Sequence, residues 1–107
     1  MWVMKMSLMV RTIQKEKEQI GNMLDLYKRQ LDNMPKGSIT EKVVGQNVYF
    51  YLKYRDGKKV FTDYLGKDGE KVQSIRSMLE KRRHIETMIE HLESEQLIAN
   101  KVLGGKI

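Results

Sequence analysis

The chain has 107 residues and contains no cysteine, a single proline and a single tryptophan. Without cysteine there is no disulfide, no thiolate nucleophile and no Cys-based zinc site. No run approaches the roughly 20 apolar residues that a transmembrane helix needs, so neither a membrane span nor a membrane partner is expected. The N-terminal ten residues, MWVMKMSLMV, are apolar, but Lys5 interrupts them and the charged pattern starts at Arg11, which does not make a secretory signal. They read as a helix start or frayed tail, or else as an adaptable handle for self-association through Trp2, Met4, Met6 and Met9. Such a composition suits the cytoplasm. The length allows one domain with a small core.

What is present is charge of both signs, 32% of the residues, which fits a folded helical protein better than a disordered one. Met6, Ile13, Ile20, Tyr27 and Met34 recur every seven positions. Val10, Leu24 and Leu31 follow members of that series by four, and Met9 and Met23 by three. This is the apolar stripe of a helix over 6–34, with a polar gap at Glu16 and Lys17 and a weak point at Gly21. Pro35 ends it, because the residue before a proline avoids the α region. At about 43 Å such a helix is long for so small a domain and reads as one arm of a coiled coil.

Residues 36–66 change character. Ser38 to Val44 reads as a first strand, Gly45–Asn47 as a loop, Val48 to Tyr54 as the strongest strand and Lys59 to Leu65 as its hairpin partner. A two-residue Asp56-Gly57 turn pairs Arg55 with Lys58. A three-residue loop with a bulge at Gly57 pairs Tyr54 with Lys58. The binary pattern favours the second, which puts Val48, Phe50, Leu52 and Tyr54 on one face with Val60, Thr62 and Tyr64. Tyr49, Tyr51, Lys53, Lys59, Phe61 and Asp63 then occupy the other.

A second helix is expected over 68–103. Its stripe is Val72, Ile75, Met78, Leu79, Ile85, Met88, Ile89, Leu92, Ala99 and Leu103. Asp68 is its expected N-cap, Glu70 lies in its first turn, and Gly104 and Gly105 mark its stop. The fold class is therefore α+β: two long antiparallel coiled-coil helices joined by a β-hairpin or a small three-stranded antiparallel sheet, as a single domain. A lone hairpin is marginal in water and a two-helix arm is thin, so a homodimer is expected. Its oligomerisation contacts would come from Ile13, Ile20, Leu24, Tyr27, Leu31, Ile85, Ile89 and Leu92.

The net charge of +6 is not evenly spread. Residues 36–83 hold twelve basic and six acidic residues, an excess equal to that of the whole chain. Lys53, Arg55, Lys58, Lys59, Lys67, Lys71, Arg76, Lys81, Arg82 and Arg83, with Tyr49 and Tyr51, are the candidate nucleic-acid contacts. Lys and Arg neutralise phosphates and aromatic rings stack on bases. The partner would be RNA, DNA or a nucleoprotein complex. The competing reading is that these cations are solvated and guard an exposed sheet edge, while the tyrosines pair across strands.

Catalysis has little support. His84 and His91 lie seven apart, which separates them by about 10 Å along a helix. Glu80 and Glu95 stand four residues from them, so each pair makes at most half a metal site and reads as a local surface ion pair. Gly66-Lys67-Asp68-Gly69 lacks the spacing of a phosphate loop. No cofactor, metal or small-molecule substrate is expected.

The stretch MPKGSITEKVVGQNVYFYLKYRDGKKVFTDYLGK, Met34 to Lys67, resembles a module of uncharacterised bacterial and mobile-element proteins. Its pattern is a long helix, Pro-Lys-Gly-Ser-Ile, an aromatic hairpin of the YxYLxYRxGxKV type, then Tyr-Leu-Gly-Lys and a second long helix. The resemblance implies the helix–hairpin–helix layout and no settled activity. Some larger relatives look fused to nuclease-like domains, and nothing in this chain resembles one. The small basic chain is also similar in style to anti-CRISPR inhibitors of Cas effectors, which would imply contact with a guide-loaded complex.

Overall fold

The structure, a computed structural model, describes residues 2–104, with side chains from Leu8 onward. The fold is α+β. Its elements in chain order are α1 (Trp2–Asp32), β1 (Ser38–Val44), β2 (Asn47–Asp56), β3 (Lys59–Gly66) and α2 (Glu70–Val102). The side chains of Trp2, Met4 and Met6, and Gly105, lie outside the described residues. Two compact units share the chain. One is Asn33–His84; the other comprises residues up to Asp32 and from Ile85 on. Among the described residues no helix is long and apolar enough to cross a membrane.

In the first unit the three strands form one antiparallel sheet in the order β1-β2-β3, so β2 is central. β1 pairs with β2 from Ser38↔Lys53 to Val44↔Asn47. β2 pairs with β3 from Tyr51↔Tyr64 to Asp56↔Lys59. Neither expected hairpin register is adopted: the turn is Gly57-Lys58, one residue further along. Gly57 has φ 62°, Gly45 has φ 63°, and among the described residues no other residue type has positive φ. Positive φ at the first central position only is the type II′ geometry, which matches the twist of the flanking strands. Both hairpins therefore turn on Gly-X, at Gly45-Gln46 and Gly57-Lys58.

The slip reverses the faces of β3. Phe61 and Asp63 lie on the helix-covered face with Tyr54 and Leu52, and Val60, Thr62 and Tyr64 lie on the outer face with Tyr51. An irregularity between Phe50 and Tyr51 brings Gly66 opposite Phe50. Leu65 follows Phe61 and Asp63 on the helix-covered face and is buried in the core. The first turns of α2 close that core. Val72, wholly buried, and Leu79 pack with Phe50, Leu52 and Leu65, flanked by Ile39, Tyr54 and Ile75. Each such side chain contributes about 1.5–3 kcal/mol relative to exposure.

α2 begins differently from expectation. The Gly69 carbonyl accepts the first helical bond from Gln73 N–H at 3.1 Å, so Gly69 holds the cap position. Asp68 instead accepts from the Gln73 side-chain amide at 3.0 Å. The end is as expected: Gly104, at φ 103°, donates to the Lys101 carbonyl.

In the second unit, Leu24 of α1 is buried together with Ile85, Ile89, Leu92 and Ala99 of α2. The heptad positions Ile13, Lys17, Ile20, Tyr27 and Leu31 are half-buried, so Lys17 stands in the stripe. Gly21 lies beside Gln96, and within the first unit the Arg82 guanidinium donates to the Met34 carbonyl at 3.3 Å. Positions on the two helices thus run in opposite senses, which is the expected antiparallel pairing. Leu24, Ile85, Ile89 and Leu92, four of the expected oligomerisation contacts, are buried within one chain. Met9 and Met23, expected on the stripe, are exposed instead, at 63% and 40%.

Candidate functional site

Strand alternation sorts the sheet's charges by side. On the outer face, β1 presents Ser38, Thr40, Lys42 and Val44. β2 adds Tyr49, Tyr51, Lys53 and Arg55, and β3 adds Val60, Thr62 and Tyr64. By the same alternation the acidic residues of the strands, Glu41, Asp56 and Asp63, fall on the helix-covered face. The outer face is thus basic and aromatic, with carboxylate approach only from the edge strand, where Glu41 reaches its rim.

Three tyrosines cluster there. The rings of Tyr51 and Tyr64 are 5.3 Å apart, tilted by 56°, and Tyr49 and Tyr64 are 6.3 Å apart, tilted by 46°. Lys67, just past β3, lies over the Tyr49 ring at 5.9 Å from its centroid, a cation–π distance. Lys42 stands opposite Tyr49, and Lys53 lies between Ser38 and Thr62. An open depression of about 450 Å³ is lined by Thr40, Glu41, Lys42, Tyr51, Lys53 and Thr62.

The other candidate residues divide. Lys53, Arg55, Lys67, Tyr49 and Tyr51 meet on the outer face. Lys58 is in the hairpin turn, and Lys59 pairs with Asp56 on the helix-covered side. Lys71, Arg76, Lys81, Arg82 and Arg83 are on α2, in the layer behind the sheet. Lys81 is exposed, Arg82 is engaged with the Met34 carbonyl, and Arg76 and Arg83 line a depression of about 220 Å³ with Ser38, Ile39, Leu79 and Glu80. The sheet cations and the α2 cations thus belong to different layers. Lys42, Tyr64, Thr40 and Thr62 complete the outer face and were not among the candidate contacts. The two-residue Asp56-Gly57 turn, which the binary pattern did not favour, already puts Thr62 and Tyr64 on the face of Tyr49 and Tyr51.

Tyr54 belongs to the opposite face. Its ring stacks on Phe61 at 5.4 Å and 17°. Burial, then the negative Asp63 and the hydrogen bond that its hydroxyl donates to that carboxylate, and lastly Asp56, hold its pKa above the ordinary phenol value of 10.0.

On α2, His91 Nε2 stands 3.9 Å from the Glu95 carboxylate, four residues on, and both are well exposed. Among the described residues no group of three or more His, Asp or Glu is arranged to hold a metal ion.

Comparison with protein families matches residues 8–74 to a domain of unknown function, DUF6788. That span runs from α1 through the whole sheet into the first turns of α2. Its description contains no link to mobile elements or to Cas inhibitors. The comparison with curated proteins finds no match, and neither does the comparison with solved structures.

Proposed function

The chain belongs to the DUF6788 family, and from that premise we propose that it is a non-enzymatic nucleic-acid-binding protein whose contact surface is the outer face of the sheet. The observation that carries this reading is the segregation of charge across the sheet. Lys42, Lys53, Arg55 and Lys67 surround Tyr49, Tyr51 and Tyr64, while the strands' carboxylates fall on the other side. Cations set around aromatic rings are what a phosphate backbone and its bases require. A nucleoprotein complex such as a guide-loaded effector presents the same groups.

The test is a combined K42E, K53E and R55E variant. Binding to labelled nucleic acid at low salt is lost and helix content by circular dichroism is kept. The matching K71E, R76E and K81E variant on α2 binds nearly as well as the parent. Equal losses in the two variants would return the site to the whole basic segment. Absence of parental binding at low salt would remove the proposal.

A second reading, a homo-oligomeric interaction module, is supported by the exposed apolar residues of the helix pair. These include Met9, Met23, Leu97, Ile98 and Val102. Light scattering decides it: a concentration-independent mass of 12.6 kDa rejects a homodimer.

A further inference from the structure

We infer that the nucleic acid taken by the outer face is single-stranded, with unpaired bases lying on Tyr49, Tyr51 and Tyr64 and the backbone phosphates on Lys42, Lys53, Arg55 and Lys67. This deepens the nucleic-acid reading and rests on it.

The width of the sheet is the first argument. A major groove about 12 Å wide admits a helix or a two-stranded ribbon. Here three strands lie side by side, and at about 4.8 Å per strand their backbones alone span roughly 10 Å before any side chain is added. β2, which carries Tyr49 and Tyr51, is the central strand, so β1 and β3 keep it from entering a groove edge-on.

The placement of the rings is the second. A duplex hides its base faces and offers phosphates, which need cations only. On this face the tyrosines occupy the middle. Tyr51 sits between Thr40 and Tyr64, and Tyr49 beside Lys42. Tyr64 is 55% exposed, and Tyr49 and Tyr51 are half-buried, so ring surface faces outward. Lys67 and Lys42 flank Tyr49, and Lys53 and Arg55 follow Tyr51 along β2. Rings of this kind accept any base, since every base has a π face. The expected preference is for strandedness, with little for sequence and no commitment between ribose and deoxyribose.

Side-chain chemistry adds a third. The outer positions between the rings and cations include Thr40 and Thr62, neutral hydroxyls that bond to phosphate or sugar without repelling it. A surface for an acidic protein would need the cations but gain nothing from a cluster of three rings held 5.3 and 6.3 Å apart.

The experiment measures anisotropy of a labelled 12-mer, as single-stranded DNA, single-stranded RNA and duplex DNA of the same sequence, with the full chain at low salt. A second oligonucleotide carries 2-aminopurine, whose fluorescence is quenched by stacking. The single strands are expected to bind at least tenfold more tightly than the duplex, with quenching. Tyr64→Ala is expected to weaken single-strand binding on the order of tenfold, to relieve the quenching and to leave duplex binding unchanged. Tyr64→Phe restores both. Tyr64 is exposed, so its loss leaves the fold intact, and circular dichroism checks this. Duplex binding as tight as single-strand binding overturns this inference while leaving the nucleic-acid reading in place. Equal affinity of the Tyr64→Ala and Tyr64→Phe variants also overturns it. Absence of binding to all three oligonucleotides overturns both.

Discussion

At Gly37, between α1 and β1, the backbone takes φ 108°. A Cβ there would collide with the Lys53 carbonyl oxygen and lie 2.8 Å from the Tyr54 Cβ. Both obstacles belong to the central strand and cannot move aside. Gly37→Ala is expected to cost about 2–3 kcal/mol, seen as a lower urea midpoint with an unchanged slope. Tyr54 makes a different kind of prediction. Its phenol pKa is raised in the folded state above 10.0, so between the unfolded and folded values the native state holds more protons. The associated stability is fully present below pH 10 and is lost as pH rises through the folded value. Tyr54→Phe is expected to flatten the fall in urea midpoint on going from neutral to strongly alkaline pH. Identical alkaline slopes in parent and variant would show that the Tyr54–Asp63 contact contributes nothing.

The elements show where local signals and packing part company. Strand β1 has the expected bounds, and β2 and β3 differ from expectation by one or two residues at their ends, because β-branched and aromatic runs bounded by glycine leave little choice. The hairpin register was not so legible. Asp-Gly is a familiar type I′ pair, which places glycine second; here glycine comes first and the turn shifts by one residue. What favours the shift is packing. It places Leu65 in the core, Phe61 on Tyr54, and the Tyr64 ring against Tyr51. Gly57→Ala is expected to destabilise by about 1–2 kcal/mol, because the turn holds Gly57 at φ 62°, and a lower urea midpoint measures it. The core test is Leu79→Ala, at about 2–5 kcal/mol, because Leu79 belongs to the cluster that joins α2 to the sheet. Loss of native packing in that variant with retained helix content is the expected signature.

At the scale of the whole molecule, charge and architecture coincide. The unit Asn33–His84 contains all twelve basic and six acidic residues of the middle segment, and therefore the entire excess of +6. The remaining unit is neutral overall. Its interior is an antiparallel helix pair closed by Leu24, Ile85, Ile89 and Leu92, which is why these residues serve internal packing. The measurable consequence is salt dependence. Four phosphate contacts on a single strand would give a slope of log K against log salt of about −3. A slope near zero would show that the basic face is only solvated.

The sequence by itself determined the two long helices, the three strands between them, an end to the first helix ahead of Pro35 (at Asp32, two residues earlier than expected) and to the second at Gly104, and the confinement of the positive charge to the middle segment. These follow from periodicity, backbone chemistry and counting, which act over a few neighbours along the chain. Only the tertiary structure decided which side of the sheet each residue of β3 faces, and so which tyrosines and cations share a surface. A pleated strand inverts its faces with a shift of one residue, and the energy that selects between them comes from α2 covering one side.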